Sequence, residues 1–233
     1  PGAVAPPPPA PPADAAESFR FVQGQYLTFR RRFDGEEMRR SYSICAGIDD
    51  GVLRVGVKRV DGGWFSTFLN EELKVGDTLE AMAPMGNFHA PLMPEQARRY
   101  LGFAGGSGIT PMMSMTRYLR DRALQRTVVF LHGARSEQEI IFRQECAELA
   151  ATEPWFQYIV SLSQPSEAWA GEPGRLTPAR VMAAVRDLTS CRFFLCGPHE
   201  FMDEMQAALL QGGVAVERIH TEAFHKRTAP ALV

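Results

Sequence analysis

The first part of the chain alternates apolar and polar positions in short stretches that are broken by turn signals. The turn signals include Asp49-Asp50-Gly51 and Gly76-Asp77. Many short strands at close spacing are typical of a small antiparallel β-barrel. The pattern predicts strands at residues 26–29, 40–45, 52–58 and 78–83, and a short helix at residues 67–73.

The periodicity changes near Pro94, after which short apolar runs alternate with helical periods. Such alternation is typical of a parallel sheet with crossover helices, in a Rossmann-like arrangement. The predicted strands are residues 99–104, 127–132, 157–162, 192–196 and 218–223, and the predicted helices are residues 110–124, 136–150, 177–185 and 198–211. We therefore expect two domains, an antiparallel β-barrel domain at residues 18–94 and an α/β parallel-sheet domain at residues 95–225.

The two ends of the chain lack this periodicity. Residues 1–17 are rich in Pro and Ala and cannot bury enough apolar surface to offset their ordering entropy, so we predict a disordered lead. We interpret residues 226–233 as a tail or linker.

Composition excludes several classes of partner. The chain is 45% hydrophobic and 22% charged, as is usual for a soluble globular protein. Its net charge of -2 creates no field that would attract nucleic acid or an anionic membrane. No apolar run approaches the roughly 20 residues that span a bilayer, and the N-terminus has no basic segment followed by an apolar one. We therefore predict a cytoplasmic protein with no nucleic-acid or membrane partner.

The four cysteines are predicted to be reduced thiols. Cys191 and Cys196 have the C-x4-C spacing that opens a plant-type iron–sulfur motif, but the following C-x2-C is missing. The residues between them are apolar, so we interpret this segment as a buried strand. The five histidines show no ligand spacing, and no metal site is predicted.

A glycine-rich segment, Gly106-Ser107-Gly108-Ile109-Thr110-Pro111, lies between a predicted strand and a predicted helix. Glycines at this place allow the backbone to approach a pyrophosphate, and the helix N-terminus supplies N–H donors. Pro111 suits the first helical turn, where its missing N–H costs nothing. Tight turns also use glycine, but the strand before and the helix after the segment favour a nucleotide phosphate site.

Two further strand ends carry candidate ligand residues. Arg135 and Ser136 follow the strand predicted at residues 127–132, where an Arg accommodates a 2′-phosphate and a carboxylate would hold a 2′-hydroxyl. The arginine favours NADPH over NADH, although the acidic Glu137 is close in sequence. The alternative interpretation is that Arg135 is a solvated charge in a loop. Cys196-Gly197-Pro198 ends another strand, and is either a ligand-binding edge or a buried thiol before a helix-initiating Gly-Pro.

Arg40-Ser41-Tyr42-Ser43 carries the clearest candidate chemistry in the first domain. An Arg pairs with a diphosphate, a Tyr ring lies against a flat heterocycle, and a Ser hydroxyl bonds a ring nitrogen. Downstream, Lys58-Arg59 precedes a glycine turn and a helix start at Gly62-Gly63-Trp64-Phe65-Ser66-Thr67, which is a second anion-binding arrangement. Taken singly, each segment is alternatively a strand with ordinary surface charges.

Together these segments resemble the ferredoxin–NADP reductase superfamily over roughly residues 19–225. Its motifs are matched in order, R-x-Y-[ST] by Arg40, Tyr42 and Ser43, G-x-x-S by Gly63 and Ser66, G-x-G-x-x-P by Gly106, Gly108 and Pro111, and C-G-P by Cys196, Gly197 and Pro198. Within the superfamily, the chain looks most similar to the reductase subunits of phenylacetyl-CoA epoxidase, which act in phenylacetate degradation.

The resemblance implies FAD in a cleft of the barrel domain, NADPH in the α/β domain and electron transfer to an oxygenase or iron–sulfur partner. It implies a catalytic role beside flavin N5 and the nicotinamide for Ser43, Cys196 and Glu222, with no nucleophilic role for Cys196. It implies cofactor-binding roles for Arg40, Ser41, Tyr42, Ser43, Val57, Lys58, Gly63, Ser66, Thr67, Gly106, Gly108, Thr110, Pro111, Arg135, Ser136, Gly197 and Pro198.

Two departures from the family pattern leave alternatives open. The family subtype carries a C-terminal [2Fe–2S] domain that we expect to be lacking here, which favours a stand-alone flavin reductase or ferredoxin reductase. A Pro/Ala stretch occupies the place of the first barrel strand, which would expose a barrel edge and is the only support for a non-catalytic flavin- or nucleotide-sensing module. The catalytic reductase remains the prediction.

Overall fold

A computed structural model describes residues 17–89, 99–121, 127–185, 187–188 and 190–224. Several predictions lie outside the described residues: the lead up to residue 16, the domain boundary near Pro94, the end of the helix predicted at 110–124, and the tail. Glu17, the last residue assigned to the lead, opens a 3₁₀ turn at Glu17–Phe19. Within the described residues, no helix is both long and apolar enough to cross a membrane.

The N-terminal domain contains an antiparallel sheet with the order β2-β1-β3. Its strands are β1 (Tyr26–Phe33), β2 (Glu36–Ser43) and β3 (Glu80–Ala81). Asp34 and Gly35 form the two-residue hairpin loop between β1 and β2, both with positive φ (48° and 85°). This is the Asp-Gly signal of a type I′ turn. The strand prediction at 40–45 was therefore too late at its start, because the charged residues before Arg40 continue the ladder to this turn.

Two other strand predictions in this domain were too long. The segment at 52–58 forms no strand, and it pairs only through an isolated bridge between Ile44 and Val55. Within the segment predicted at 78–83, only β3 forms a ladder. The helix predicted at 67–73 starts earlier, as α1 (Trp64–Thr67), and continues as a π-helix at Phe68–Glu72. Phe65, Phe68 and Leu69 of this helical segment pack against Leu27 and Phe29 of β1.

The second domain confirms the predicted parallel sheet with crossover helices. Its six strands have the order β7-β6-β5-β4-β8-β9. The strands are β4 (Arg99–Gly105), β5 (Thr127–Ala134), β6 (Phe156–Leu162), β7 (Glu172–Pro173), β8 (Cys191–Gly197) and β9 (Ile219–Ala223). The helices are α2 (Ile109–Asp121), α3 (Arg143–Thr152), α4 (Pro178–Ala184) and α5 (His199–Gln211).

One predicted helix is broken. The helical period at 136–150 divides into a 3₁₀ turn at Glu137–Glu139 and α3, which starts at Arg143. Phe142 precedes α3 with φ of 57°, a left-handed conformation that interrupts any continuous helix. The side chain of Ile140 is buried between the two pieces.

The cysteines carry free thiols, and all four are buried. Cys191 and Cys196 both belong to β8, where they are an odd number of positions apart and therefore point to opposite faces of the sheet. Cys196 packs in the core beside α2, and Cys191 in the core on the other face. The two thiols cannot meet at one iron–sulfur cluster, which agrees with the prediction of a buried strand.

Helix α2 joins the two domains through a polar stripe that consists of Thr110, Ser114, Arg117 and Asp121. These residues repeat at the spacing of one helix face. The hydroxyl of Ser114 donates to the carbonyl of Ala46 at 2.7 Å, and Nη1 of Arg117 donates to the carbonyl of Cys45. Both carbonyls belong to the segment that follows β2, so α2 fixes the end of β2 against the parallel sheet.

Candidate functional site

The segment between β4 and α2 has the geometry of a phosphate-binding loop. Gly106 has φ of 57°, and a Cβ added to it would meet nothing within 4 Å. The backbone at this point is therefore open to an incoming group, while its conformation favours glycine. The hydroxyl of Thr110 donates to the carbonyl of Ser107 at 2.8 Å, which closes the loop onto the first turn of α2. Pro111 lies in that first turn, as predicted.

The other glycines of this edge serve a second purpose, the close approach of β4 and β8. A Cβ on Gly108 would lie 1.9 Å from the carbonyl oxygen of Cys196. A Cβ on Gly197 would lie 3.0 Å from Cα of Gly105. A Cβ on Gly105 would lie 2.8 Å from Cδ of Pro198. The predicted loop and the predicted Cys-Gly-Pro motif therefore form one continuous edge.

His132 binds the backbone of the glycine loop. The sequence alone predicted no role for this residue. It is fully buried in β5, and its Nε2 lies 2.9 Å from the carbonyl oxygen of Gly106. Because a carbonyl only accepts, Nε2 carries the proton, and Nδ1 accepts from the hydroxyl of Tyr158 at 2.8 Å. Burial lowers the pKa of His132 to about 4, although its bond to Gly106 acts in the opposite direction. The sequence signal that could have identified His132 is its position at a strand end, directly before Gly133-Ala134-Arg135.

This histidine should make the stability of the domain pH-dependent. The folded pKa of about 4 lies below the ordinary value of 6.5, so the unfolded chain takes up the proton first. The contribution of neutral His132 to the free energy of unfolding is complete above about pH 6.5. It is lost as the pH falls toward about 4, and the loss is at most about 3 kcal/mol. We expect His132→Gln to show a smaller difference in unfolding free energy between pH 7 and pH 5 than the parent, measured by urea denaturation. An unchanged difference would contradict the burial of a neutral His132.

Arg135 and Ser136 follow β5 on the same edge of the sheet. Nε of Arg135 lies 3.6 Å from the carboxylate of Glu139, and the arginine side chain is 66% exposed. Glu137 points elsewhere, because its carboxylate accepts from the Ser166 hydroxyl at 2.5 Å and from the Ser166 N–H at 3.1 Å. The acid nearest in sequence therefore does not neutralise Arg135.

Cys196 and Glu222 are neighbours across β8 and β9, which pair them in register. Burial raises the pKa of the Cys196 thiol well above its ordinary value, and the Glu222 carboxylate adds to the shift. A thiol held in this way stays protonated and is a poor nucleophile. A neutral thiol favours a role in shaping the site without covalent bonding, and this role of Cys196 stays a prediction.

In the first domain, the inner face of the β1–β2 hairpin collects the predicted flavin residues Arg40 and Tyr42. Tyr42 lies opposite Leu27 and Arg40 opposite Phe29. The Tyr42 ring is half-buried, 6.4 Å from the Phe65 ring, and burial raises the pKa of its hydroxyl to about 12 against the effect of Arg40. Tyr42 therefore presents a neutral aromatic ring beside a cation.

Arg40 and Ser43 have hydrogen-bonding capacity that the described residues do not use. The Arg40 guanidinium donates to the carbonyl of Arg39 at 2.8 Å and pairs with no carboxylate in the described ranges. Ser43 is only 5% exposed, and its hydroxyl has no hydrogen-bond partner within those ranges. Ser41 faces the other way, with its hydroxyl 2.8 Å from that of Thr28. Arg40 and Tyr42 therefore share one face of the hairpin, Ser41 belongs to the opposite face, and Ser43 ends β2 at the position opposite Tyr26.

The glycine turn before α1 is closed by the side chain of Ser66. Its hydroxyl donates to the carbonyl of Gly63 at 3.0 Å and accepts from the N–H of Val60 at 3.1 Å. Because the one hydroxyl proton is used within the turn, Ser66 holds the shape of the turn, and the donors that remain for an anion are backbone N–H groups. Gly63 is required here, since a Cβ would lie 2.7 Å from the Ser66 hydroxyl.

Val57, Lys58 and Thr67 lie near this turn, but their side chains are used differently. Val57 packs against the core of the first domain. Lys58 reaches across to the second domain, where its ammonium lies 2.5 Å from the carboxylate of Glu139. Thr67 belongs to α1 and is half-buried. Lys58 therefore connects the two domains, and its role toward a cofactor stays a prediction.

The residues present fit a flavin dinucleotide and a nicotinamide dinucleotide. An unpaired arginine, a neutral aromatic ring and an unused hydroxyl share the end of β2, and an open glycine loop precedes α2. Ser43 is two residues before Cys45, the carbonyl of which accepts from Arg117, so the segment after β2 meets the helix that follows the glycine loop. No group of three metal-ligating side chains occurs in the described part of the chain, and the absence of a metal stays a prediction.

Comparison with known proteins agrees with this geometry. Two family models match, an oxidoreductase FAD-binding domain at residues 13–90 and an oxidoreductase NAD-binding domain at residues 103–207. One component of the 1,2-phenylacetyl-CoA epoxidase from Escherichia coli is 35% identical over 219 residues, which are 92% of this chain and 62% of that protein. A glycine betaine monooxygenase reductase subunit from Pseudomonas aeruginosa is 34% identical over 215 residues, 91% of this chain and 58% of that protein.

A solved structure gives the same result. The cytochrome P450 reductase of Amycolatopsis has a TM-score of 0.78 and 29% identity, over 88% of this chain and 61% of that chain. The fold and the two matched domains place the chain in the class of FAD- and NAD-binding oxidoreductase domains. The chain belongs to the ferredoxin–NADP reductase superfamily, so the predicted family is confirmed. It spans about three fifths of the length of the curated relatives that it matches, 62% and 58% in these two cases.

Proposed function

We propose that the chain oxidises NADPH with the help of bound FAD and passes the electrons to an oxygenase or iron–sulfur partner. The observation that carries the proposal is the contact of α2, which begins directly after the Gly106 loop, with the segment that directly follows Arg40, Tyr42 and Ser43 of β2. When bound, FAD supplies hydride acceptance from a nicotinamide and onward electron transfer. The protein supplies binding and orientation.

The first domain holds and orients the flavin. The unpaired guanidinium of Arg40 binds the diphosphate, and the neutral ring of Tyr42 lies against the heterocycle. The Ser43 hydroxyl donates to a flavin ring nitrogen near N5. Since α2 fixes the backbone directly after Ser43 through Ser114 and Arg117, this hydroxyl keeps a constant position relative to the second domain.

The second domain places the nicotinamide nucleotide. The open backbone of Gly106 and the start of α2 bind its pyrophosphate, and Arg135 with Ser136 binds a 2′-phosphate. Cys196 and Glu222 border the nicotinamide. The neutral thiol of Cys196 limits the shape of this part of the site without reacting.

The partner is proposed from the relatives. The component of 1,2-phenylacetyl-CoA epoxidase and the glycine betaine monooxygenase reductase subunit are 35% and 34% identical to the chain. Both relatives are named as parts of oxygenases, so an oxygenase is the proposed class of acceptor. The finer proposal is an acceptor of the phenylacetyl-CoA epoxidase type, in phenylacetate catabolism, supported by the similarity in the flavin segments.

The test is reduction of the FAD-loaded protein without oxygen. We expect the yellow absorption of bound flavin to bleach on addition of NADPH, and more slowly with NADH. A protein that binds FAD but is not reduced by either nucleotide would favour a sensing module, and one that takes up no FAD would contradict the proposal.

The nucleotide preference is tested in the same assay with Arg135→Gln. Loss of one charge-assisted phosphate contact should lower the apparent affinity for NADPH about tenfold. NADH, which lacks the 2′-phosphate, serves as the matched control and should be unaffected. Equal effects on both nucleotides would remove the assignment of Arg135 to the 2′-phosphate.

A further inference from the structure

Arg31 lies on the same face of the β1–β2 hairpin as the proposed flavin residues. The register places Leu27 opposite Tyr42, Phe29 opposite Arg40 and Arg31 opposite Met38. Opposite residues and residues two apart share a face of a strand pair. Tyr42, Arg40 and the Arg31–Met38 pair therefore follow one another along this face, at steps of about 7 Å.

The guanidinium of Arg31 lies over the face of an aromatic ring. Its central carbon lies 3.7 Å from the centroid of the buried Phe68 ring and 5.6 Å from that of Phe33. A guanidinium in cation–π contact with a ring still has N–H groups that can donate to another partner. Arg31 is exposed overall, so those N–H groups are accessible.

Arg31 also lacks the acidic partner that its neighbours on the opposite face possess. Arg30 pairs with Glu80 at 2.7 Å, and Arg39 pairs with Glu37 at 2.8 Å. Arg31 makes no ion pair with any carboxylate in the described ranges. Two unpaired arginines, Arg31 and Arg40, therefore lie diagonally across one strand pair, where their like charges favour an anion with more than one phosphate.

We propose that Arg31 binds the adenosine-side phosphate of FAD and makes the site select FAD over FMN. This rests on the proposed function, since it assumes the flavin ring at Tyr42 and the flavin-side phosphate at Arg40. Arg31 is one step farther from Tyr42 than Arg40 is, on the side toward which the adenosine half would extend. FMN ends at its single phosphate and does not reach Arg31.

The experiment is calorimetric titration of the flavin-free protein with FAD and with FMN. Arg31→Met retains a long side chain over Phe68 and removes the charge. We expect it to weaken FAD binding about tenfold and to leave FMN binding unchanged. Arg32→Met is the matched control, because Arg32 is the next residue, is exposed and points to the opposite face of β1. It should change neither affinity.

The outcomes separate this inference from the proposed function. An unchanged ratio of FAD to FMN affinity in Arg31→Met overturns the inference, whether both affinities stay the same or both fall equally. A wild-type chain that binds neither flavin overturns the proposed function together with the inference. A general loss of folding would appear in the thermal unfolding of Arg31→Met and would weaken both flavins alike, so it cannot imitate the expected result.

Discussion

Gly108→Ala is expected to destabilise the second domain by about 3 kcal/mol or more, a large part of the stability of an ordinary domain. The added Cβ would lie 1.9 Å from the carbonyl oxygen of Cys196 and 2.4 Å from its carbonyl carbon. Both are backbone atoms of β8, which pairs with β4 and β9 and cannot move alone. The clash can be relieved only if α2 and β8 separate.

Gly106→Ala provides the control within the same loop. An added Cβ there meets nothing within 4 Å, but φ of 57° strains any residue other than glycine. The cost of one left-handed residue is about 1–2 kcal/mol. Urea denaturation of both variants should therefore rank Gly108→Ala as clearly less stable than Gly106→Ala. Equal stability would mean that the start of α2 and β8 are not in the close contact described.

This pair of glycines shows what the sequence could and could not predict. The spacing of Gly106, Gly108 and Pro111 between a strand and a helix predicted a nucleotide loop, since strand, turn and helix signals are local. The reasons why these two positions require glycine differ, and they do not follow from the neighbouring sequence. Gly108 is needed because of Cys196, which is far along the chain, and only the packed sheet brings the two together.

The same limit explains the errors in the first domain. The alternation at 52–58 is real, since Leu53, Val55 and Val57 pack against the core of the first domain, but the segment forms no ladder and its Gly56 lies against α2. A Cβ on Gly56 would lie 3.1 Å from a methyl group of Thr110, in the other domain. An alternation of apolar and polar residues predicts which residues are buried, but it does not predict which other residues they contact. His132 was missed for a similar reason, because its role depends on Tyr158 and Gly106, which are its partners only in the folded sheet.

Arg117→Met is expected to cost about 3–5 kcal/mol of unfolding free energy, the range for breaking a buried ion pair from one side. The side chain of Arg117 is 7% exposed, and it binds Glu145 through two parallel bonds of 2.9 and 2.6 Å. Its third nitrogen donates to the carbonyl of Cys45 in the first domain. The variant would leave a partly buried carboxylate and a buried carbonyl without their donor, and would also remove one of the contacts that join α2 to the end of β2.

A double-mutant cycle separates the cost of leaving Glu145 without its partner from the interaction energy of the ion pair itself. Replacing both partners, as Arg117→Met with Glu145→Met, removes the uncompensated charge, so the double variant should lose less than the sum of the two single variants. The exposed pair of Arg30 and Glu80, at 2.7 Å, is the matched control, and Arg30→Met should cost far less unfolding free energy than Arg117→Met. If Arg117→Met costs no more than Arg30→Met, the guanidinium is not buried between the domains, and the constant position of Ser43 inferred from it would lose its physical basis.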